Sequence, residues 1–324
     1  MTHSETLLAW PSRISSSARP KIRLIGAKAD CYLSSPEFSG QVIAAGTRSA
    51  YIATDDGNIL AACRLDQQPH PRSFLTDLDL ATLHVGLRTW TEGTDLRFSN
   101  NLSLDLRDRR VWNRQLPAAS NATPLQQLRS RCDDLFLAAR NLHKGENLGL
   151  AIPYLTEGRD AAHSLDIPET TSPLVDAGVE QVRRLLPQCR RGNLESVLQL
   201  ADQLIGLGPG LTPSGDDFIG GLIFMSLHLN AAYPAERWWE GGDIPALLTR
   251  SEPMTSQISH ALLTDLSEGQ SHESLHDLAD GLVAGMEAFD AIIHVRRLSE
   301  IGQSSGWDML TGMLAALLPV IYRV

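Results

Sequence analysis

Basic residues are in short supply: 28 lysines and arginines against 38 acids leave a net charge of −10 and a pI near 5.4. That balance excludes nucleic acid as the main partner, because a phosphate backbone is held by a basic face. The short basic runs at 107–110 and 296–297 read as solvated faces. Cysteine is also sparse. Cys31, Cys63, Cys132 and Cys189 lack the paired spacing of a zinc site, so they read as free thiols in a reducing compartment. The opening residues, MTHSETLLAWPSRISSSARP, have no apolar core of the kind a signal peptide needs, and no later run is expected to span a bilayer. A cytoplasmic location with no membrane partner follows by default. No nucleophilic cysteine or Ser–His–Asp pattern stands out, and neither a biotin-accepting lysine motif nor an ATP-grasp signature is present.

What is there suits one large or two ordinary domains: 324 residues, 43% of them hydrophobic and 20% charged. The pattern predicts an α+β protein. Residues 1–20 form an N-terminal extension. Residues 21–116 carry short period-two segments with frequent turn signals, which predicts an antiparallel β sandwich or small barrel. Asp56-Gly57 between two such segments signals a type I′ hairpin, and Asn100-Asn101 reads as a turn. After a seam at 116–124 the composition changes, and residues 117–324 are expected to be mostly helical and to carry the ligand site. Amphipathic segments run through 124–144, 175–186 and 193–204.

The densest stretch in the chain is GLGPGLTPSGDDFIGG at 206–221. Gly206, Gly208 and Gly210 permit backbone conformations and close approaches that a Cβ forbids, so successive N–H groups can converge on one ligand. Thr212, Ser214 and Gly215 then open an apolar helix, whose N-terminus offers free donors and a positive dipole end to an anion. Asp216 and Asp217 would repel that anion, and two resolutions remain open. Either a divalent cation such as Mg²⁺ bridges carboxylate and anion, or one Asp faces away. A plainer account makes Ser214 an N-cap with Asp217 as its capping-box acid, but leaves the three glycines unexplained.

With GQSSGWDMLTG at 302–312, this motif resembles the AllH family, formerly labelled a carboxylase of unknown function, which includes a subunit of the bacterial oxamate carbamoyltransferase of allantoin breakdown. The resemblance covers most of the chain and is weakest over the first hundred or so residues. It implies a place in purine catabolism as a component of a carbamoyltransferase. Such a component works with other subunits on a small anionic substrate of the carbamoyl phosphate, oxamate or oxalurate type. Gln303 stands where the family commonly has a His, which puts in doubt any proton transfer at that position. The rival expectation is a non-catalytic anion- or nucleotide-binding subunit that regulates or assembles a partner enzyme. The carboxylase label is weaker, for want of the motifs noted above.

The two motifs also resemble each other. Ser214-Gly215-Asp216-Asp217-Phe218-Ile219-Gly220-Gly221 and Ser305-Gly306-Trp307-Asp308-Met309-Leu310-Thr311-Gly312 both read S-G-x-D, two large apolar residues, a small residue and Gly. If the repeat is structural, Asp217 and Asp308 converge as the catalytic acids, with Ser304, Ser305 and Gly306 adding anion donors. Ser259, three residues after Ser256 on a helix face, is a further substrate contact. His272 and His276 bracket Glu273 as H-E-x-x-x-H, one residue too long for the zinc-protease pattern, and no metal ligand is assigned there.

Overall fold

A computed structural model describes residues 19–143, 145–156, 172–284 and 289–323. The predicted extension 1–20, apart from its last two residues, lies outside the described residues, as does Lys144, the expected end of the first long helix. Nine strands come first: β1 (Ile22–Gly26), β2 (Ser39–Ala45), β3 (Ser49–Thr54), β4 (Ile59–Arg64), β5 (Ser73–Thr76), β6 (Arg88–Glu92), β7 (Asp95–Phe98), β8 (Ser103–Asp105) and β9 (Arg110–Trp112). They form one sheet in the order β8-β7-β6-β2-β3-β4-β5-β1-β9. In β3 the buried residues alternate, Ala50, Ile52 and Thr54, as a strand with one face on a core requires.

The sheet is mixed rather than antiparallel, since β4 pairs with β5 and β1 with β9 in parallel. Strand direction follows the path of the connection, which period-two patterning does not encode. The sheet curls so that its edge strand β8 comes beside the residues that precede β1: Lys21 bridges Asp105 of β8, and Asp105 N–H donates to the Pro20 carbonyl at 3.0 Å. The turn at 54–57 also differs from the expectation. Gly57 adopts φ 87° while Asp56 does not have positive φ, and Gly57 N–H donates to Thr54 O at 3.0 Å. This is a turn closed by a left-handed glycine, whereas a type I′ turn needs positive φ at both central residues. Asn101, at φ 67°, makes the expected turn between β7 and β8. Within the region expected to be strands and turns, residues 27–33 form helix α1 (Ala27–Leu33), as the helix-favouring Ala27, Lys28 and Ala29 allow.

The helical region comprises α2 (Leu125–Leu142), α3 (Ile152–Leu155), α4 (Pro173–Arg191), α5 (Leu194–Leu200), α6 (Ser214–Ala232), α7 (Ile244–Ser251), α8 (Gln257–Ser267), α9 (Glu273–Val283), α10 (Ala291–Ser299), α11 (Ser305–Ala316) and α12 (Leu318–Tyr322), with a 3₁₀ turn at Asn147–Ala151. One apolar cluster runs from Ile22 to Leu106 within the sheet region and another from Leu128 to Ile321 among the helices. Helices α6 and α11 are apolar on nearly all sides, and they lie at the centre of the second cluster. Residues Ser305–Tyr322 do have the length and apolarity of a membrane span, contrary to the expectation, and they are almost wholly buried within the fold.

Polar groups fasten the sheet to the helices. Asp265 of α8 is fully buried and accepts from Lys28 Nζ and Arg72 Nε, both at 2.6 Å, the basic groups coming from α1 and the segment before β5. Removing either partner would strand a buried charge, so this triad fixes the relative placement of the two regions.

Candidate functional site

The chain enters α6 through a turn that needs its glycines. Gly206 (φ 76°), Gly208 (φ 128°) and Gly210 (φ 99°) occupy the left-handed region, and a Cβ on Gly206 would lie 2.2 Å from the Met254 carbonyl oxygen. Gly206 N–H does not reach out to a ligand; it donates to Asp216 Oδ1 at 2.7 Å. The other Asp216 oxygen accepts from Thr255 and, at 2.6 Å, from Ser259 Oγ. Asp216 is therefore the acid that faces away. Burial raises its carboxyl pKa, opposed by donation from Ser259, Thr255 and Gly206. Ser214 is not an N-cap: Pro213 takes that position, and no side-chain cap closes onto Asp217.

The Asp216 bracket joins the glycine turn to the start of α8. Asp216→Ala is expected to lower stability by about 2–4 kcal/mol, because a buried N–H and two hydroxyls lose their acceptor together. Urea unfolding measures the loss, and it should come with faster exchange of the Gly206 amide.

Helix α11 repeats α6 in structure as well as sequence. A Cβ on Gly215 would meet the Leu204 carbonyl at 1.8 Å, and one on Gly306 the Leu298 carbonyl at 1.8 Å. Farther along, the helices cross at reciprocal glycines: Gly221 abuts Met309 O (2.2 Å to an added Cβ) and Gly312 abuts Phe218 O (2.0 Å). Phe218 and Met309 are equivalent positions of the two motifs. The small-residue seam thus brings two like helices backbone to backbone about a local two-fold.

That crossing brings the two acids together. Asp217 is 4% exposed and Asp308 fully buried, and the Oδ2 atom of each has no hydrogen-bond partner. Each acid sits near a serine of the opposite motif, Ser305 for Asp217 and Ser214 for Asp308. Thr212 Oγ1 and Ser305 Oγ, beside Asp217, lie 2.9 Å apart. Asp308 Oδ1 accepts from Leu148 N–H at 2.9 Å. Burial pushes Asp308 up to about 7 despite the donors around it. Burial, then the neighbouring Asp308 charge, raises Asp217 well above the carboxylate range. Two acids this close in a dry site do not both ionise near neutrality.

Asp217, but not Asp308, reaches a cleft of about 400 Å³ between the sheet and the helices. Thr212, Ser305 and Met309 line it on the helical side; Arg48, Tyr51, Cys63 and His70 line it on the sheet side, and His272 completes the wall. Most of these groups are neutral. Burial pushes Tyr51 and Cys63 up to about 12, takes His272 down to about 4 and holds His70 well below its usual range. Cys63 therefore keeps its proton and makes a poor nucleophile. Arg48, at the exposed rim, donates to Gly302 O at 3.2 Å and is the cationic group of the lining. A larger concavity of about 520 Å³ lies over Glu195, Gly241 and Arg250, away from both motifs. Its Arg250 is already paired with Asp202, and among the described residues no buried unpartnered group lines it.

Of the residues singled out in the sequence, Thr212, Asp217 and Ser305 meet in the cleft, with Asp308 behind them. Gly206, Asp216 and Ser259 form the bracket on the far side of α6. Gly208 and Ser214 border a crevice of only about 10 Å³ with Asn147 and Leu148. Ser304 Oγ accepts from Asn147 Nδ2 at 2.6 Å, Gly215 and Gly306 are packing positions, and Gly210 has open space around it. His272 and His276 part company: His272 joins His70 with ring centroids 4.7 Å apart, whereas His276 is buried against Phe224 and His228. Arg48, Tyr51 and His70 carried no signal in the sequence, because only the curl of the sheet brings them to the motif.

The family model described as oxamate carbamoyltransferase subunit AllH matches residues 204–317, from the glycine turn to the end of α11. No solved structure matches the chain.

Proposed function

The chain belongs to the AllH family through residues 204–317, and from that premise we propose that it is the substrate-binding component of a carbamoyltransferase. In this reading it moves a carbamoyl group between an oxalurate-type ureido acid and phosphate, together with other subunits. The sheet of residues 21–116 and the helical region of 117–324 act as two units that face each other across the cleft. The observation that carries the reading is the cleft itself, where a buried acid with an unpartnered oxygen and two hydroxyls share the lining with one rim arginine, Asp66 and Glu300.

The transfer needs no covalent enzyme intermediate. A phosphate oxygen attacks the carbamoyl carbon, the C–N bond breaks, and the departing amide nitrogen takes a proton. Protonated Asp217 donates to the carbamoyl oxygen as negative charge develops there, with Ser305 and Thr212 beside it as further donors. Arg48 holds the carboxylate of the ureido acid by a charge-assisted contact and sets the distance to the reacting carbon. His272, kept neutral by burial and with Nδ1 unpartnered, is the acceptor for the proton of the attacking phosphate, while His70 Nδ1 already accepts from Arg72 N–H at 3.2 Å. Among the described residues no three His, Cys, Asp or Glu side chains gather as a metal site requires. Thr212, Ser305 and backbone carbonyls remain able to contact a substrate-borne Mg²⁺.

The test is phosphate-dependent conversion of oxalurate by the chain reconstituted with its partner subunits. Arg48→Met is expected to raise KM for oxalurate by about 10- to 100-fold with a smaller effect on kcat, since it removes a carboxylate contact made in ground and transition states alike. Unchanged kinetics in this variant would count against the cleft as the transfer site and favour the regulatory reading.

A further inference from the structure

The two-fold built by α6 and α11 relates two acids, but their surroundings differ in one respect. Over Asp308, the space beside Ser214 is filled by the 3₁₀ turn Asn147–Ala151, which leaves about 10 Å³. The Leu148 peptide N–H of that turn donates to Asp308 Oδ1 at 2.9 Å. Over Asp217, the space beside Ser305 opens into the cleft of about 400 Å³. Asp217, only 4% exposed, is met by the side chains of Ser305 and Thr212 rather than by a backbone N–H, and its Oδ2 is unpartnered. Asp308 Oδ1 is met by an amide of the chain, whereas Asp217 borders the cleft without one, and the Oδ2 atoms of both acids are buried and unpartnered.

The geometry points to an amide N–H of the substrate as the missing partner: the Leu148 peptide on Asp308 shows, within the same molecule, the group that Asp217 receives from a primary amide or carbamoyl ligand. This rests on the cleft being the substrate site. A carboxylic acid and a primary amide pair through two hydrogen bonds, the acid oxygen accepting N–H and the acid O–H donating to the amide oxygen. Burial and the Asp308 charge keep the proton on Asp217 that the second bond needs. A carboxylate in the same place would bring no N–H and would add negative charge beside two acids. Asp217 is thus the specificity-determining residue that selects the amide end of a substrate over an isosteric carboxylate, while Arg48 takes an anionic end.

Oxamate and oxalate make the comparison, because they differ by one amide in place of one carboxylate. In calorimetric titrations of the full chain at neutral pH, oxamate is expected to bind at least about tenfold more tightly than oxalate, the worth of roughly one net hydrogen bond. Asp217→Leu should abolish that preference. Asp217→Asn, which keeps an acceptor and a donor on the same skeleton, should retain most of it, and thermal melts of both variants establish that they are folded. Equal or tighter binding of oxalate, a preference that survives Asp217→Leu, or no heat from oxamate up to about 10 mM would each overturn the assignment. Binding is read here without turnover. Amide preference without carbamoyl transfer would therefore sink the proposed reaction alone, and transfer without amide preference would sink this inference alone.

Discussion

Asp308→Asn is expected to make the chain more stable at pH 8 by on the order of 2–4 kcal/mol and to change little at pH 4. In the unfolded chain this carboxyl ionises near its ordinary 3.8, whereas in the fold burial carries it to about 7. Below 3.8 both states hold the proton. Between 3.8 and 7 the unfolded chain releases a proton that the folded chain retains, so the folded state loses ground as pH rises, and above 7 the loss from this group is complete. Asparagine has no proton to lose. Its oxygen still accepts from Leu148 N–H. The acid side of the profile belongs to other groups: burial takes His228 to about 4 and His276 to about 3, so unfolded histidines bind protons first and stability falls again below about pH 6.5. Both proteins share these histidines, and the difference between their urea-unfolding free energies at each pH isolates Asp308. A difference that stays flat from pH 4 to 8 would show that Asp308 ionises freely in the fold.

The parts of this arrangement that were legible in the sequence are those encoded locally. Gly206, Gly208 and Gly210 announced a turn of unusual backbone, and the matching S-G-x-D motifs announced two like helices, because both rest on residue type and spacing alone. The division of labour between Asp216 and Asp217 was not legible. Adjacent helical residues point about 100° apart, and which of them met α8 and which met α11 depended on helices about 40 and 90 residues away in the chain. The capping-box expectation failed for a local reason: Pro213, with its fixed φ, already supplies the extended residue that precedes the first turn. Arg48, Tyr51 and His70 were invisible for the opposite reason. Each sits in an ordinary strand or loop, and its place in the cleft comes from the curl of the sheet and the Lys28–Asp265–Arg72 triad, contacts distant in the chain.

Gly312→Ala and Gly221→Ala are each expected to cost about 3 kcal/mol or more and to disable the site together with the fold's centre. The added methyl on residue 312 would sit 2.0 Å from the Phe218 carbonyl oxygen, and that on residue 221 would sit 2.2 Å from Met309 O. Both obstacles are backbone, so no rotamer change relieves them; α6 and α11 must move apart by more than an ångström. Helix propensity works the other way, since alanine is favoured over glycine by about 1 kcal/mol. A net loss would therefore report the crossing itself. The separation also pulls Asp217 away from Ser305 and opens the dry space between the two acids to water. Less burial lowers the Asp308 pKa toward the ordinary range. Each variant should thus show a flatter stability profile between pH 4 and 7 than the parent, besides its lower stability. Because either substitution alone already forces the helices apart, the double variant should lose clearly less than the sum of the two. Urea unfolding of the three variants checks both statements. Full additivity, or a loss below about 1 kcal/mol in either single variant, would mean that the two helices do not meet at these glycines.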